Sequence, residues 1–232
     1  MNKHLLSEID RLKLEIISLA ATVEQAIRHA VRALFERDRV LAENVIERDR
    51  KIDQIEVEIE EDCLKTLALY QPVASDLRFM IAVLKVNNEL ERIGDIAKNI
   101  AERALDLQEF EPVAIPPALE EMSRKAEAMV RASLDALISL DVNLARRVRA
   151  DDNEVDTLNR QMFSDIQRMM HETPDRIEVL MEILSVSRYL ERVADLATNI
   201  AEDVIYLVEG TIARHVKRTT TSRIEKASRS ED

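Results

Sequence analysis

Apolar residues recur at intervals of three and four along most of the chain, the spacing of one buried helix face. From Lys3 to Glu36 the set Leu5, Ile9, Leu12, Ile16, Leu19, Val23, Ile27, Ala30 and Leu34 predicts one long helix. Helices of that length need neighbours along their whole flank, which points to rods packed as a bundle. Asp38 suits the N-cap of a second segment, and the charged run Glu47-Arg48-Asp49-Arg50 is expected to interrupt it before Ile52, Ile55, Ile59, Cys63 and Leu67 resume the stripe. Pro72 must end or restart a helix, and a third helix is predicted from Asp76 to about Gln108, with Ser75 suited to its N-cap. Residues Glu109 to Pro117, EFEPVAIPP, hold three of the five prolines and read as a linker.

Beyond the linker the order returns. A helix is predicted from about Pro117 to Ser139, then an Asp141-led segment, then Asp152 to His171, then a start at Thr173-Pro174 with threonine as cap and proline at the first helical position. The block ERIGDIAKNIAE from Glu91 to Glu102 recurs one hundred positions later as ERVADLATNIAE from Glu191 to Glu202. Allowing a few residues of slip, Asp49 and Ile52-Asp53 correspond to Asp152 and Val155-Asp156. The chain is therefore expected to be all-α and duplicated, with units at 1–111 and 112–215. The polar, Ser/Thr-rich stretch at 216–232 is expected to be a disordered tail.

Composition supports helices over strands: 46% of residues are hydrophobic, only 3% aromatic, and two are glycine. A formal charge of −12 repels a phosphate backbone, so nucleic acid is not an expected partner, whereas cations and basic protein surfaces are. The charged N-terminus lacks a secretory pattern and no apolar run spans a membrane, so a cytoplasmic location is expected. Cys63, the one cysteine, is expected to be a reduced, packed thiol.

The candidate chemistry lies in the repeated acids. At about 100° per residue, Glu91, Asp95 and Glu102 fall within about 40° of one another, as do Glu191, Asp195 and Glu202, nearly opposite the aliphatic stripe. Carboxylates one turn apart can share a hard cation, but one helix supplies too few ligands. A second helix must add Asp49, Asp53 and Glu56 in the first half, or Asp152 and Asp156 in the second. With no histidine near either block, oxygen-only coordination implies a divalent ion or iron, with Mg, Mn, Ca or oxidised iron favoured over structural zinc. The bland alternative is a set of ion pairs that fix the bundle's register. Upstream on the same face lie Met80 and Leu84, with Leu180 and Leu184 in the second copy, so this face is expected to offer a partner, or a second copy in a homodimer, an apolar centre with an acidic end.

The whole stretch QPVASDLRFMIAVLKVNNELERIGDIAKNIAE, Gln71 to Glu102, closely resembles the signature block of the PhoU family of phosphate-transport accessory proteins, and the second half resembles that family's second repeat. The resemblance covers about residues 5 to 215 and rests on the Gln-Pro start, the Asp76-Leu77-Arg78 triplet and the two Glu-Arg-x-x-Asp blocks. It implies two similar three-helix bundles in tandem and a non-catalytic cytoplasmic regulator that works with the phosphate ABC transporter and the phosphate-sensing histidine kinase. It also implies metal binding through an E(D)xxxD motif, matched here by Glu91, Asp95, Glu191 and Asp195, while Asn99, Glu102, Asn199 and Glu202 match the surrounding block. The second copy departs from the first where Ala194 replaces Gly94 and Thr198 replaces Lys98, so the two sites are expected to differ in metal or occupancy. Two other functions use similar residues: a carboxylate-bridged metalloenzyme, which would normally add Glu-x-x-His pairs that this chain lacks, and a metal-free helical scaffold.

Overall fold

The computed structural model describes residues 3–210, and among them there are six long helices and no strand. These are α1 (Lys3–Glu36), α2 (Arg39–Tyr70), α3 (Ala74–Asp106), α4 (Pro117–Ser139), α5 (Val142–Glu172) and α6 (Ile177–Glu209), with 3₁₀ turns at Leu107–Glu109 and Pro174–Arg176. The tail expected at 216–232 lies outside the described residues.

All nine apolar positions read along α1 are buried, and at about 1.5 Å per residue the helix reaches about 50 Å. Two aspartates start helices as their position suggests. Asp38 Oδ1 accepts the Leu41 amide at 3.0 Å, and Asp141 Oδ1 accepts those of Asn143 and Leu144 at 2.8 and 3.0 Å. Just before each, a left-handed residue, Arg37 or Leu140, closes the preceding helix. The Arg37 guanidinium then ties this corner to the linker through the carbonyls of Leu107 and Phe110 at 2.8 and 2.9 Å.

Four local expectations are corrected. The run Glu47 to Arg50 does not interrupt α2: Glu47, Arg48 and Arg50 point to solvent and only Asp49 is buried, so the helix pays no steric penalty there. In the second half, the Asp141-led segment and Asp152 to His171 are likewise one helix, α5. Ser75 is not a cap, because α3 starts after Val73 without a side-chain cap and Ser75 Oγ reaches only Asp76 Oδ1, at 3.5 Å. Thr173 caps nothing ahead of it either; its hydroxyl turns back to the Met169 carbonyl at 2.8 Å, although Pro174 does open the 3₁₀ turn.

Helices α1, α2 and α3 pack on one another, and α4, α5 and α6 do the same, which makes two three-helix bundles. The bundles join through α3 against α6 and α1 against α4, and buried apolar residues of both halves form one cluster. The α3–α6 seam carries polar pairs: Lys85 Nζ to Asp203 Oδ1 at 3.0 Å, Asn199 Nδ2 to Glu89 Oε1 at 3.3 Å, and Arg103 Nη1 to Glu182 Oε2 at 2.9 Å. Partner numbers fall along α6 as they rise along α3, so the two helices are antiparallel. The apolar run proposed as a partner face is largely consumed here and in the cores. Met80, Leu180 and Leu184 are buried and Leu84 is half-buried, so that apolar centre is not open to a partner.

Candidate functional site

The repeated acids sit where α3 packs on α2 and α6 on α5. From Leu90 to Glu102 every residue has the same burial class as the residue one hundred later, so the duplication is held at the level of single side chains. Glu91 and Glu191 are half-buried, while Asp95 and Asp195, one turn on, are exposed.

In the first half these meet α2. Asp49 is 3% exposed, Asp53 is at the surface and Glu56 is half-buried. Burial raises the Glu91 carboxyl above its ordinary range, and Asp95, Glu56, Asp53 and Asp49 add to that by repulsion. The Asp53 carboxyl is raised by burial and by Asp49 and Asp95, with Lys98 opposing. The replacement of Lys98 by Thr198 was noted from sequence, but not what Lys98 touches. Its Nζ donates to Asp49 Oδ2 at 2.6 Å, so Asp49 is not an open ligand but half of an ion pair. Glu102 lies on the Lys98 side of the helix and contributes to that ammonium's field.

In the second half the same positions lack the lysine. Burial and the neighbouring Asp195, Asp156 and Glu191 push the Asp152 carboxyl up to about 6. Glu191 is raised by burial, Asp195 and Asp156, and Asp195 by burial and Asp156 with Arg192 opposing. Glu202 is engaged: Arg149 Nε stands 3.1 Å from its Oε1. Next to each cluster a hydrogen bond joins corresponding positions with exchanged chemistry, Asn87 Nδ2 to the Glu56 carbonyl at 2.8 Å in one half and Ser187 Oγ to Asn159 Oδ1 at 3.2 Å in the other. A shift of 103 between α2 and α5, with 100 between α3 and α6, would have paired these residues from sequence.

The structure thus gathers Asp49, Asp53, Glu56, Glu91 and Asp95 in one electrostatic group and Asp152, Asp156, Glu191 and Asp195 in another. Among the described residues, no three His, Cys, Asp or Glu side chains are set closely enough to enclose an ion as they stand. The donor set itself is carboxylate only, which suits a hard cation, and the carboxyls of the second group are raised first by burial and then by mutual repulsion. Thr198 Oγ1, at the position matching Lys98, is buried without a hydrogen-bond partner.

A family model for the PhoU domain matches the chain twice, over residues 16–104 and 119–204. The chain belongs to the PhoU family. The "Phosphate-specific transport system accessory protein PhoU homolog" of Aquifex aeolicus is 40% identical over 211 residues, 91% of this chain and 96% of that protein. The crystal structure of PhoU from Pseudomonas aeruginosa superposes with a TM-score of 0.86 at 37% identity, covering 88% of this chain and 99% of that one. That of the "phosphate transport system regulatory protein PhoU" from Streptococcus pneumoniae gives 0.80 at 28% identity, over 90% and 98%. The two matched PhoU segments each contain one acidic group, so the candidate site belongs to the duplicated PhoU unit and not to an addition. Among the described residues no helix is long and apolar enough to cross a membrane.

Proposed function

We propose that this chain is a phosphate-transport accessory protein that acts as a negative regulator of phosphate uptake and of the phosphate regulon, an adaptor between the phosphate ABC transporter and the phosphate-sensing histidine kinase. It works as a regulator and not as a catalyst. The observation that carries this is the block from Leu90 to Glu102, with its acids, kept in the same burial classes one hundred residues later in the second PhoU repeat, which a merely solvated face would not require. Each group has the chemistry of a hard-cation site, for a divalent metal or iron, held by Glu91, Asp95 and Asp53 in the first half and by Glu191, Asp195, Asp152 and Asp156 in the second. A bound cation would supply charge neutralisation, drawing the carboxylates together and setting the face offered to a partner.

Because the apolar run at Met80 and Leu180 is buried, recognition falls to the acidic face, which suits a helical partner with basic flanks; electrostatics then governs orientation and encounter rate. The test is Glu91→Lys with Glu191→Lys in the full chain. The variant should keep its helical content and melting behaviour, lose kinase or transporter association in a pull-down, and derepress a phosphate-starvation reporter in phosphate-rich medium. A folded double variant that still represses fully removes the acidic face from the regulatory surface.

A further inference from the structure

We infer that the apolar groove between the start of α1 and the end of α6 is the docking site for the next segment of this same chain, residues 211–218, with Ile212 and Val216 as the anchoring side chains. The inference stands apart from the acidic groups, none of whose carboxylates lines the groove.

Residues of α1 and α3 from the first bundle and of α4 and α6 from the second surround a space of about 510 Å³. All the lining residues except Lys13, Ser75 and Asp76 are apolar. Ile17, Ile138, Leu140 and Val208 are 36%, 54%, 51% and 44% exposed there. Single apolar residues on a surface are ordinary, but four large aliphatic side chains around one groove form a patch of the kind that other apolar groups cover.

The place where α6 ends selects the occupant. Leu207 and Val208 line the groove, and Gly210, two residues on, closes the helix in the left-handed conformation with its amide donating to the Tyr206 carbonyl at 2.9 Å. The chain therefore departs from the groove's own edge, and its sequence continues as TIARHVKR. Ile212, Ala213 and Val216 have the spacing of one apolar helix face, while Arg214, Lys217 and Arg218 supply three cations with no acid among the eight residues. Those cations suit a chain of formal charge −12 and match the groove locally. Of the charged residues that line it, Lys13 is engaged by Asp10 at 3.3 Å and by the Phe79 ring at 5.5 Å, which leaves Asp76 to give the groove an acidic edge.

Tethering offsets the small size of this contact. A segment joined directly to the groove's edge is held at a roughly millimolar effective concentration, so two anchors suffice to populate the docked state. An apolar segment of any partner must displace it first.

The experiment uses the full-length chain with isotope-labelled methyl groups and a nitroxide attached at Thr219→Cys. Cys63 is buried and its thiol is pushed up to about 12, so it stays unlabelled. The methyl signals of Ile138 and Leu207 should lose most of their intensity, while those of Val45 and Ile166, buried outside the groove, keep theirs. Ile212→Asp with Val216→Asp should restore the groove signals, because the same label is then tethered without being docked. Equal attenuation with and without the two aspartates overturns the inference, as does the absence of attenuation. Attenuation that disappears on dilution with excess unlabelled chain assigns the groove to a second copy's segment and overturns it too.

Discussion

A Cβ added at Gly94 would stand 3.1 Å from both Cδ1 and Cγ2 of Ile52, which is itself buried on α2. The second repeat carries the compensated pair, Ala194 with the smaller Val155 at the place of Ile52. Overpacking of this kind costs about 1–3 kcal/mol, against about 1 kcal/mol that alanine returns over glycine within a helix. Gly94→Ala should therefore destabilise wild type by about 1 kcal/mol in urea titrations, yet stabilise the Ile52→Val background by a similar amount. Equal effects in the two backgrounds would show that Ile52 is not the obstacle. Asp152 makes the second prediction at this scale. Its carboxyl is held near 6 against an ordinary 3.8, so the folded state binds the proton more tightly than the unfolded chain. Stability should accordingly rise as pH falls through about 6, with the gain complete below the unfolded value near 3.8. Asp152 is only half-buried and solvent screening trims the effect to about 1 kcal/mol. In metal-free buffer, Asp152→Asn should be the more stable protein at pH 7.5 and should lose that advantage by pH 5; a widening advantage on acidification would contradict the assignment. The repeated acids themselves were legible from sequence, but the Lys98 and Asp49 contact was not. It joins residues on different helices, and helical periodicity speaks only of which face a residue takes on its own helix.

At the scale of the element, periodicity and punctuation located the helices well. The predicted span of α1 is the observed one, and of the linker prolines Pro112 and Pro116 fall between α3 and α4 while Pro117 opens α4. What failed was the use of charge as punctuation. Charged residues on an outer face satisfy water and leave backbone hydrogen bonds alone, so only glycine, proline or a competing side-chain cap could have broken α2 near Asp49. The cap positions failed selectively for a related reason: a serine or threonine near a helix start caps only when the backbone places its oxygen over the N2 or N3 amide, as Asp38 and Asp141 are placed and Ser75 and Thr173 are not. Asp38→Ala and Asp141→Ala should each cost about 1 kcal/mol, the latter at least as much because it accepts two amides. Ser75→Ala should change the unfolding midpoint negligibly. A cost at Ser75 equal to that at Asp141 would overturn this account of the helix starts.

For the molecule as a whole, α1 packs on α4 and α3 on α6, so a two-fold relating the halves passes through both pairs. Each half keeps its own acidic group, α3 with α2 in one and α6 with α5 in the other. The packing of the halves on each other was not in the sequence reading, because the pairs that build the seam, such as Lys85 with Asp203, lie on different repeats and have no periodic signature. It leaves a chain of charge −12 with two related acidic groups, one in each repeat. Association through the exposed acids of these groups should weaken steeply with added salt. A pull-down that is equally strong at low and high ionic strength would argue for an apolar interface instead.

The beginning of α1 and the end of α6 line a common apolar groove, Leu6 and Ile9 from one and Leu207 and Val208 from the other. Neighbouring ends allow the chain to be rewritten. A gene opened within the 110–116 loop, with Gly210 joined to Lys3 by a short flexible linker, would translate the second bundle first. Neither the α3–α6 seam nor the acidic groups depend on which bundle leaves the ribosome earlier, so the permuted protein should melt within a few degrees of the natural one. The order of the two bundles is then a record of how the gene was joined, and the reversed order is an equally good solution for the fold.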